Sequence, residues 1–276
     1  MSCGTGSDRI LVFDPKADEA RRLVPRILPG ALCCSPVAMG SRLLAPIDAG
    51  QAVLLDPLSR GNVIATFQPR VLLSAIPQWR EPVTSGDGED AKEIVLSDGR
   101  TKLYRITMVD KPIAHLQAVA EVQTADPLVS PLARIGKMVC GVDAAGKANF
   151  YQLPDLSRTA QHSTGGCAWG PRGVGRCVML VTGDEQLVCF DESGHPAWQV
   201  PLPYGPLAGA PLAEDERHVL LASAAGMVWR ADATNGKELA KVDLGQPLST
   251  GPVAIGKRLL VGSHDGCVLE VTGIKD

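Results

Sequence analysis

The sequence predicts an all-β chain, a propeller of four-stranded antiparallel blades, and three features of its 276 residues carry that reading. Pro36, Pro82, Pro131, Pro171, Pro211 and Pro252 recur at steps of 46, 49, 40, 40 and 41 residues. Each opens the same order of short apolar runs separated by turns of small or acidic residues. Gly and Asp fall at the same place in nearly every copy, as in Gly251-Pro252-Val253-Ala254-Ile255-Gly256, Leu259-Leu260-Val261-Gly262 and His264-Asp265-Gly266. A period of roughly 40–50 residues built from short strands is the signature of propeller blades, which cannot bury both faces alone and must stack. A sandwich would not repeat Pro, Gly and Asp at one spacing.

Within each repeat the proline opens strand A, the innermost. The B strands follow: Leu43-Leu44-Ala45, Glu93–Leu96, Met138-Val139-Cys140, Cys177–Val181, Val219-Leu220-Leu221 and Leu259-Leu260-Val261. They are almost continuously apolar, as strands covered on both faces must be. The B–C turns fall at 48–50, Asp98-Gly99, Ala145-Gly146, Gly183-Asp184, Ala225-Gly226 and Asp265-Gly266, where tight hairpins need φ > 0. C strands follow at 52–55, 102–105, 149–151, 187–190, 228–230 and 268–271, and Ile10-Leu11-Val12-Phe13 makes a seventh at the front. D strands are read at 63–66, 115–118, 197–200 and 238–242, and their polar alternation suits an outer edge that must discourage pairing. Seven C strands predict seven blades, the first without its A strand and the last without its D strand. The alternative is six, with an N-terminal strand completing the Pro252 blade. The two long steps come from a polar insertion at 85–91 and an extended region at 111–124.

A hydrophobic content of 45% supplies a core, and Gly plus Pro at about 18% fits many turns without signalling disorder. The net charge of −3 gives no field for nucleic acid or anionic lipid. Arg21-Arg22 is the one notable basic pair and reads as solvated. No run of 18 apolar residues offers a membrane span, and the N-terminus has no basic-then-apolar signal. Thr5-Gly6-Ser7-Asp8 before the first strand reads as a turn of a repeat already under way. The chain therefore reads as one domain over 1–276, cut from a longer protein, and as part of an exported protein it would lie in the cell envelope or periplasm. Of eight cysteines none forms a C-x-x-C pair, which speaks against structural zinc. Cys140, Cys177, Cys189 and Cys267 lie in or beside apolar strands and read as small core hydrophobes.

The segments Val228-Trp229-Arg230-Ala231-Asp232-Ala233-Thr234-Asn235-Gly236-Lys237-Glu238 and Leu187–Trp198 resemble the repeats of pyrroloquinoline-quinone-like (quinoprotein) propellers. The resemblance puts Trp198 in the place of that family's blade-docking tryptophan, with Leu239 and, loosely after Gly61, Phe67 as degenerate counterparts. It implies a propeller. One branch, the quinoprotein alcohol dehydrogenases, is longer and implies quinone, calcium and an acidic catalytic group near a vicinal disulfide. The adjacent Cys33-Cys34 is the single feature here that matches it, and no Glu, Asn and Asp set reads as calcium ligands. The other branch is non-catalytic and includes the lipoprotein of the bacterial outer-membrane barrel-assembly machinery. It implies a binding scaffold without cofactor and with a protein or peptide partner.

His115, His162, His195, His218 and His264 are scattered, and no nucleophile elbow, phosphate loop or zinc-protease motif is present. The glycine-rich 165–173 leads into a strand, whereas a phosphate cradle needs a helix N-terminus. With A innermost, the D–A loops gather at one mouth of a propeller. The residues ahead of each proline are therefore the candidate partner-binding rim: Cys33, Cys34, Trp79, Arg80, Cys167, Trp169, Tyr204 and Thr250. Aromatics and Arg are the residue types that interface hot spots favour. The competing role for the aromatics is to wedge between blades, where their area is equally useful.

Overall fold

The computed structural model describes residues 6–13, 16–19, 22–58, 63–69, 76–86 and 91–274. Cys3, Thr5, Arg21, Gly61 and residues 87–90 of the polar insertion lie outside them. The regular elements described are all β-strands, in seven separate sheets. The first sheet pairs β1 (Arg9–Phe13) with β2 (Leu23–Ile27). The second runs β3 (Val37–Met39), β4 (Arg42–Ile47), β5 (Gln51–Leu55) and β6 (Val63–Phe67). The third runs β7 (Val83–Thr84), β8 (Glu93–Ser97), β9 (Lys102–Val109) and β10 (His115–Gln123). The fourth runs β11 (Ala133–Ile135), β12 (Met138–Val142), β13 (Lys147–Gln152) and β14 (Ser157–Ser163). The fifth has β15 (Cys167–Val174), β16 (Cys177–Thr182), β17 (Gln186–Phe190) and β18 (Pro196–Pro201). The sixth has β19 (Leu212–Ala213), β20 (His218–Ala222), β21 (Met227–Asp232) and β22 (Glu238–Asp243). The last has β23 (Val253–Ile255), β24 (Arg258–Gly262) and β25 (Val268–Glu270).

Chain neighbours within a sheet pair antiparallel, so these are seven propeller blades, five of them complete. The six-bladed alternative falls, because β1 pairs with β2 and does not join the sheet of β23–β25. The first blade lacks more than its A strand: among the described residues it holds only the outer pair. Two outer strands, β2 and β14, were not read as strands: β14 is almost wholly polar, and β2 has Pro25 at its centre with Arg26 as its one buried residue. The extension at 111–124 is a lengthened hairpin, with a register shift between Ala118 and Ala120. Pro36, Pro82, Pro211 and Pro252 stand directly before their inner strands. Pro171 instead lies inside β15, where the register breaks between Trp169 and Arg172 and a missing N–H breaks no regular ladder. Among the described residues no helix is long and apolar enough to cross a membrane.

The chain divides into two compact units, 1–144 with 151–159, and 145–150 with 160–276. In the first unit Leu44, Leu54, Ile94, Leu96, Tyr104 and Ile106 form one apolar cluster with Phe67 and Trp79. Ile10, Leu43, Ile47 and Val53 form a second cluster, and Val95, Leu103, Leu132, Val139 and Tyr151 a third. Each fully buried aliphatic contributes roughly 1.5–3 kcal/mol. In the second unit Phe150 packs on Phe190 at 5.0 Å between ring centroids. The Trp198 indole N–H donates to the Ala233 carbonyl at 2.8 Å, so this tryptophan docks its blade onto the C–D turn of the next. Cys140, Cys177 and Cys189 are buried as expected, but Cys267 is exposed. It lies in the turn ahead of β25, the third and last strand of its sheet among the described residues.

Candidate functional site

In the first unit the loops ahead of the inner strands are fastened to the B–C turns at the same end of the sheets. The Gln78 N–H donates to the Asp98 carbonyl (2.7 Å) and the Arg80 N–H to that of Ser97 (3.1 Å). The next loop is held in turn, since the Leu132 N–H donates to the Glu81 carbonyl at 3.0 Å. Gly99 makes the approach feasible. Its φ is +65°, and a Cβ there would stand 1.9 Å from the Gln78 carbonyl oxygen. The Asp98 carboxylate fixes the turn by accepting from the N–H groups of Arg100 (2.9 Å) and Lys102 (3.0 Å).

This packing leaves a cavity of about 660 Å³ lined by Cys33, Asp48, Ile76, Pro77, Gln78, Trp79, Arg80 and Arg100. Arg80 donates from Nε to the Leu128 carbonyl and Arg100 from Nε to the Ile76 carbonyl, both at 3.1 Å. Each guanidinium is thereby oriented through one nitrogen while its terminal nitrogens pair with no carboxylate among the described residues. Burial, and after it the Asp48 carboxylate, push the Cys33 thiol above its ordinary value. Trp79 is only 2% exposed and packs against Phe67, with 6.4 Å between ring centroids. Its indole N–H has no acceptor among the described residues.

Of the eight rim candidates, then, Cys33, Trp79 and Arg80 share one cavity, and Cys34 is buried in the cluster that Trp79 completes. Trp79 and Cys34 therefore serve as packing between blades. In the second unit Cys167 opens β15 with its Sγ 3.3 Å from the carbonyl oxygens of Trp169 and Gly170. Burial pushes that thiol up to about 11. Trp169 is half-buried at the register break. Tyr204 goes elsewhere. Its hydroxyl donates to Glu238 (2.5 Å) and accepts from Lys241 (2.7 Å), both on the outermost strand β22, and its ring meets Trp229 edge-on at 5.3 Å. Thr250 is exposed, and its Oγ1 accepts from the Gly262 N–H at 2.6 Å. Arg100 and Asp48 were missed by counting D–A loops alone. An antiparallel blade brings its B–C turn to the same end, so the Arg of Asp98-Gly99-Arg100 was readable in principle.

The second unit has its own cavity, about 540 Å³, whose lining includes His162, Thr164, Thr182, Asp184 and Gln199 but no Lys or Arg. The His162 ring stands 5.5 Å from Phe190 and 6.1 Å from His195, centroid to centroid, and its Nε2 finds no partner among the described residues. His264 sits exposed in the Ser263–Cys267 turn. A quinone held with calcium needs several oxygen ligands on one ion. Among the described residues no group of three or more His, Cys, Asp or Glu side chains is placed to hold a metal ion.

Comparison with known proteins agrees with the geometry. The family model described as outer membrane protein assembly factor BamB, a model of PQQ-like repeats, matches residues 136–273, half of the chain. The crystal structure of BamB from Moraxella catarrhalis superposes with a TM-score of 0.68 at 15% identity, covering 96% of this chain and 79% of that one. BBS1N, solved in complex with ARL6DN, gives 0.62 at 13%, covering 95% and 85%. The computationally designed Ika8 protein gives 0.60 at 11%, covering 84% and 68%. At such identities these structures show the fold alone. No curated protein sequence matches the chain. Repeat, sheet order and family model converge, and the chain belongs to the PQQ-like repeat β-propeller family described as outer membrane protein assembly factor BamB.

Proposed function

We propose that the chain is a non-enzymatic scaffold that binds a protein or peptide partner through the loops at the inner-strand end of its blades. One observation carries the reading. Those loops are locked to neighbouring turns by backbone hydrogen bonds, as at Gln78–Asp98 and Arg80–Ser97, while they present polar groups not consumed by the fold. A rigid surface loses little entropy when a partner docks, which is what a binding face needs. The family's description as an assembly factor supports the reading, and so does the crystallisation of BBS1N with ARL6DN. The scaffold reading calls for no cofactor.

Trp79→Ala is a poor test, because a side chain 2% exposed cannot be removed without loss of core. Photo-cross-linking residues placed singly at Gln78, Trp169 and Thr250 probe the loops directly, with Glu121 and Ser157 on the outer strands β10 and β14 as controls. Discrete adducts to one protein from the loop positions and none from the controls are expected in the native host. Adducts confined to the outer strands, or none at all, would reject the scaffold reading.

A further inference from the structure

We propose that the cavity beside Arg80 and Arg100 receives carboxylates of an acidic, partly apolar peptide segment, an inference that rests on the scaffold reading and names its ligand chemistry. The chain carries more acidic than basic residues, 30 Asp and Glu against 27 Lys and Arg. Carboxylates are accordingly at hand for its arginines elsewhere: Arg105 pairs with Glu93 at 2.5 Å, Arg230 with Glu214 at 2.8 Å, Arg258 with Glu270 at 2.7 Å and Arg176 with Glu192 at 3.1 Å. Arg80 and Arg100 instead donate from Nε to backbone carbonyls, as Arg22 and Arg26 also do elsewhere. Both line one cavity, and neither pairs with a carboxylate among the described residues. The one acid in the lining, Asp48, has its Oδ1 taken by the Ala31 N–H at 3.0 Å.

A guanidinium held through Nε still presents its two terminal nitrogens as a planar fork that fits a carboxylate, with much of its rotamer freedom already surrendered. Beside Gln78 the lining also offers an apolar stretch of Pro77, Trp79 and Ile76, the last 57% exposed. A free inorganic anion would leave that stretch wet, whereas a glutamate or aspartate flanked by an apolar residue covers both parts. The volume, about 660 Å³, lies in the range of roughly 300–1,000 Å³ usual for ligand pockets. The second unit's cavity supplies a built-in contrast, since its lining carries Asp184 and no cation.

The test is fluorescence anisotropy on the full chain with a labelled peptide of alternating glutamate and leucine, its glutamine counterpart, and citrate and inorganic phosphate as competitors. The glutamate peptide is expected to bind, to weaken as salt rises, and to lose at least about tenfold in affinity in Arg80→Gln and in Arg100→Gln. Arg100→Lys should retain part of the affinity and Arg176→Gln all of it, with thermal unfolding confirming that each variant is folded. Equal binding of the glutamine peptide, or unchanged binding in both Arg→Gln variants, would overturn the proposal. So would binding of citrate or phosphate as tight as that of the peptide, which assigns the cavity to a free anion. Loop cross-links that persist in Arg100→Gln would sink this proposal alone and leave the scaffold standing.

Discussion

The sixth and seventh sheets repeat one another in letters but not in burial. β20 carries Val219-Leu220-Leu221 and β24 carries Leu259-Leu260-Val261, each between an inner strand opened by proline and a C strand after a glycine turn. In β20 all three are buried, whereas in β24 only Val261 is. The inner and third strands of the last sheet leave Val253 at 52%, Ile255 at 62% and Val268 at 70% exposed, and no described segment covers them. The repeat therefore encodes the strand, while the neighbouring blade supplies the burial, as stacked repeats require. The sharpest way to break this comparison is a matched truncation. Leu220→Ala should cost about 2–5 kcal/mol and Leu260→Ala about 1 kcal/mol, read by urea denaturation. Equal losses would mean that the seventh sheet is packed by something the exposures do not reveal.

The same contrast explains what was legible beforehand. The inner three strands of each blade could be read because both faces demand apolar residues and the turns demand Gly or Asp, so composition and conformation point the same way. The outer strands failed where one face is solvent: β14 offers Ser157-Arg158-Thr159-Ala160-Gln161-His162-Ser163, a run that no hydrophobic pattern marks. The candidate site was readable only by half. Position in the blade placed Cys33, Trp79 and Arg80 near one another, and one cavity is lined by all three. That Trp79 would face inward, and that Tyr204 would leave the loop end for Glu238 and Lys241, depends on packing between separate repeats. Sequence spacing carries no record of that.

The B–C turn offers a second, smaller version of the comparison. Gly99 and Gly266 both follow an aspartate and both have φ in the left-handed region, +65° and +85°. A methyl group on the Gly266 Cα would meet nothing within 4 Å, so Gly266→Ala should cost only the backbone preference, about 1–2 kcal/mol. At Gly99 the same methyl meets the Gln78 carbonyl, and relief requires moving the loop that holds Arg80. Gly99→Ala should lose about 2–4 kcal/mol and should weaken acidic-peptide binding along with it. A Gly99→Ala variant as stable as Gly266→Ala would show that the loop yields easily, and the binding face would lose the rigidity ascribed to it.

The smallest effect concerns thiols. Cys267 is exposed ahead of the last strand of the seventh sheet while Cys189 is buried in the fifth. A hydrogen bond to the Asp265 carboxylate, followed by its negative charge, raises the Cys267 thiol above its ordinary value. For Cys189 the largest cause of a raised value is its hydrogen bond with Cys177, and burial comes next. A thiol raised in the fold adds stability below its unfolded value and loses it as pH climbs through the folded one. Because Cys267 is fully exposed, that contribution should leave the alkaline limb of a denaturation curve nearly unmoved, and alkylation is the sensitive readout. The thiolate is the nucleophile, so at pH 8 iodoacetamide should modify Cys267 slowly in the parent chain and several-fold faster in Asp265→Asn, with Cys189 silent in both. If Cys189 were modified as fast as Cys267, the fifth sheet would be opening on the labelling timescale, and the distinction between covered and uncovered blades would be kinetic only. If Asp265→Asn left the Cys267 rate unchanged, the turn carboxylate would be engaged with Ser263 and the Cys267 N–H alone, both of which it already accepts from.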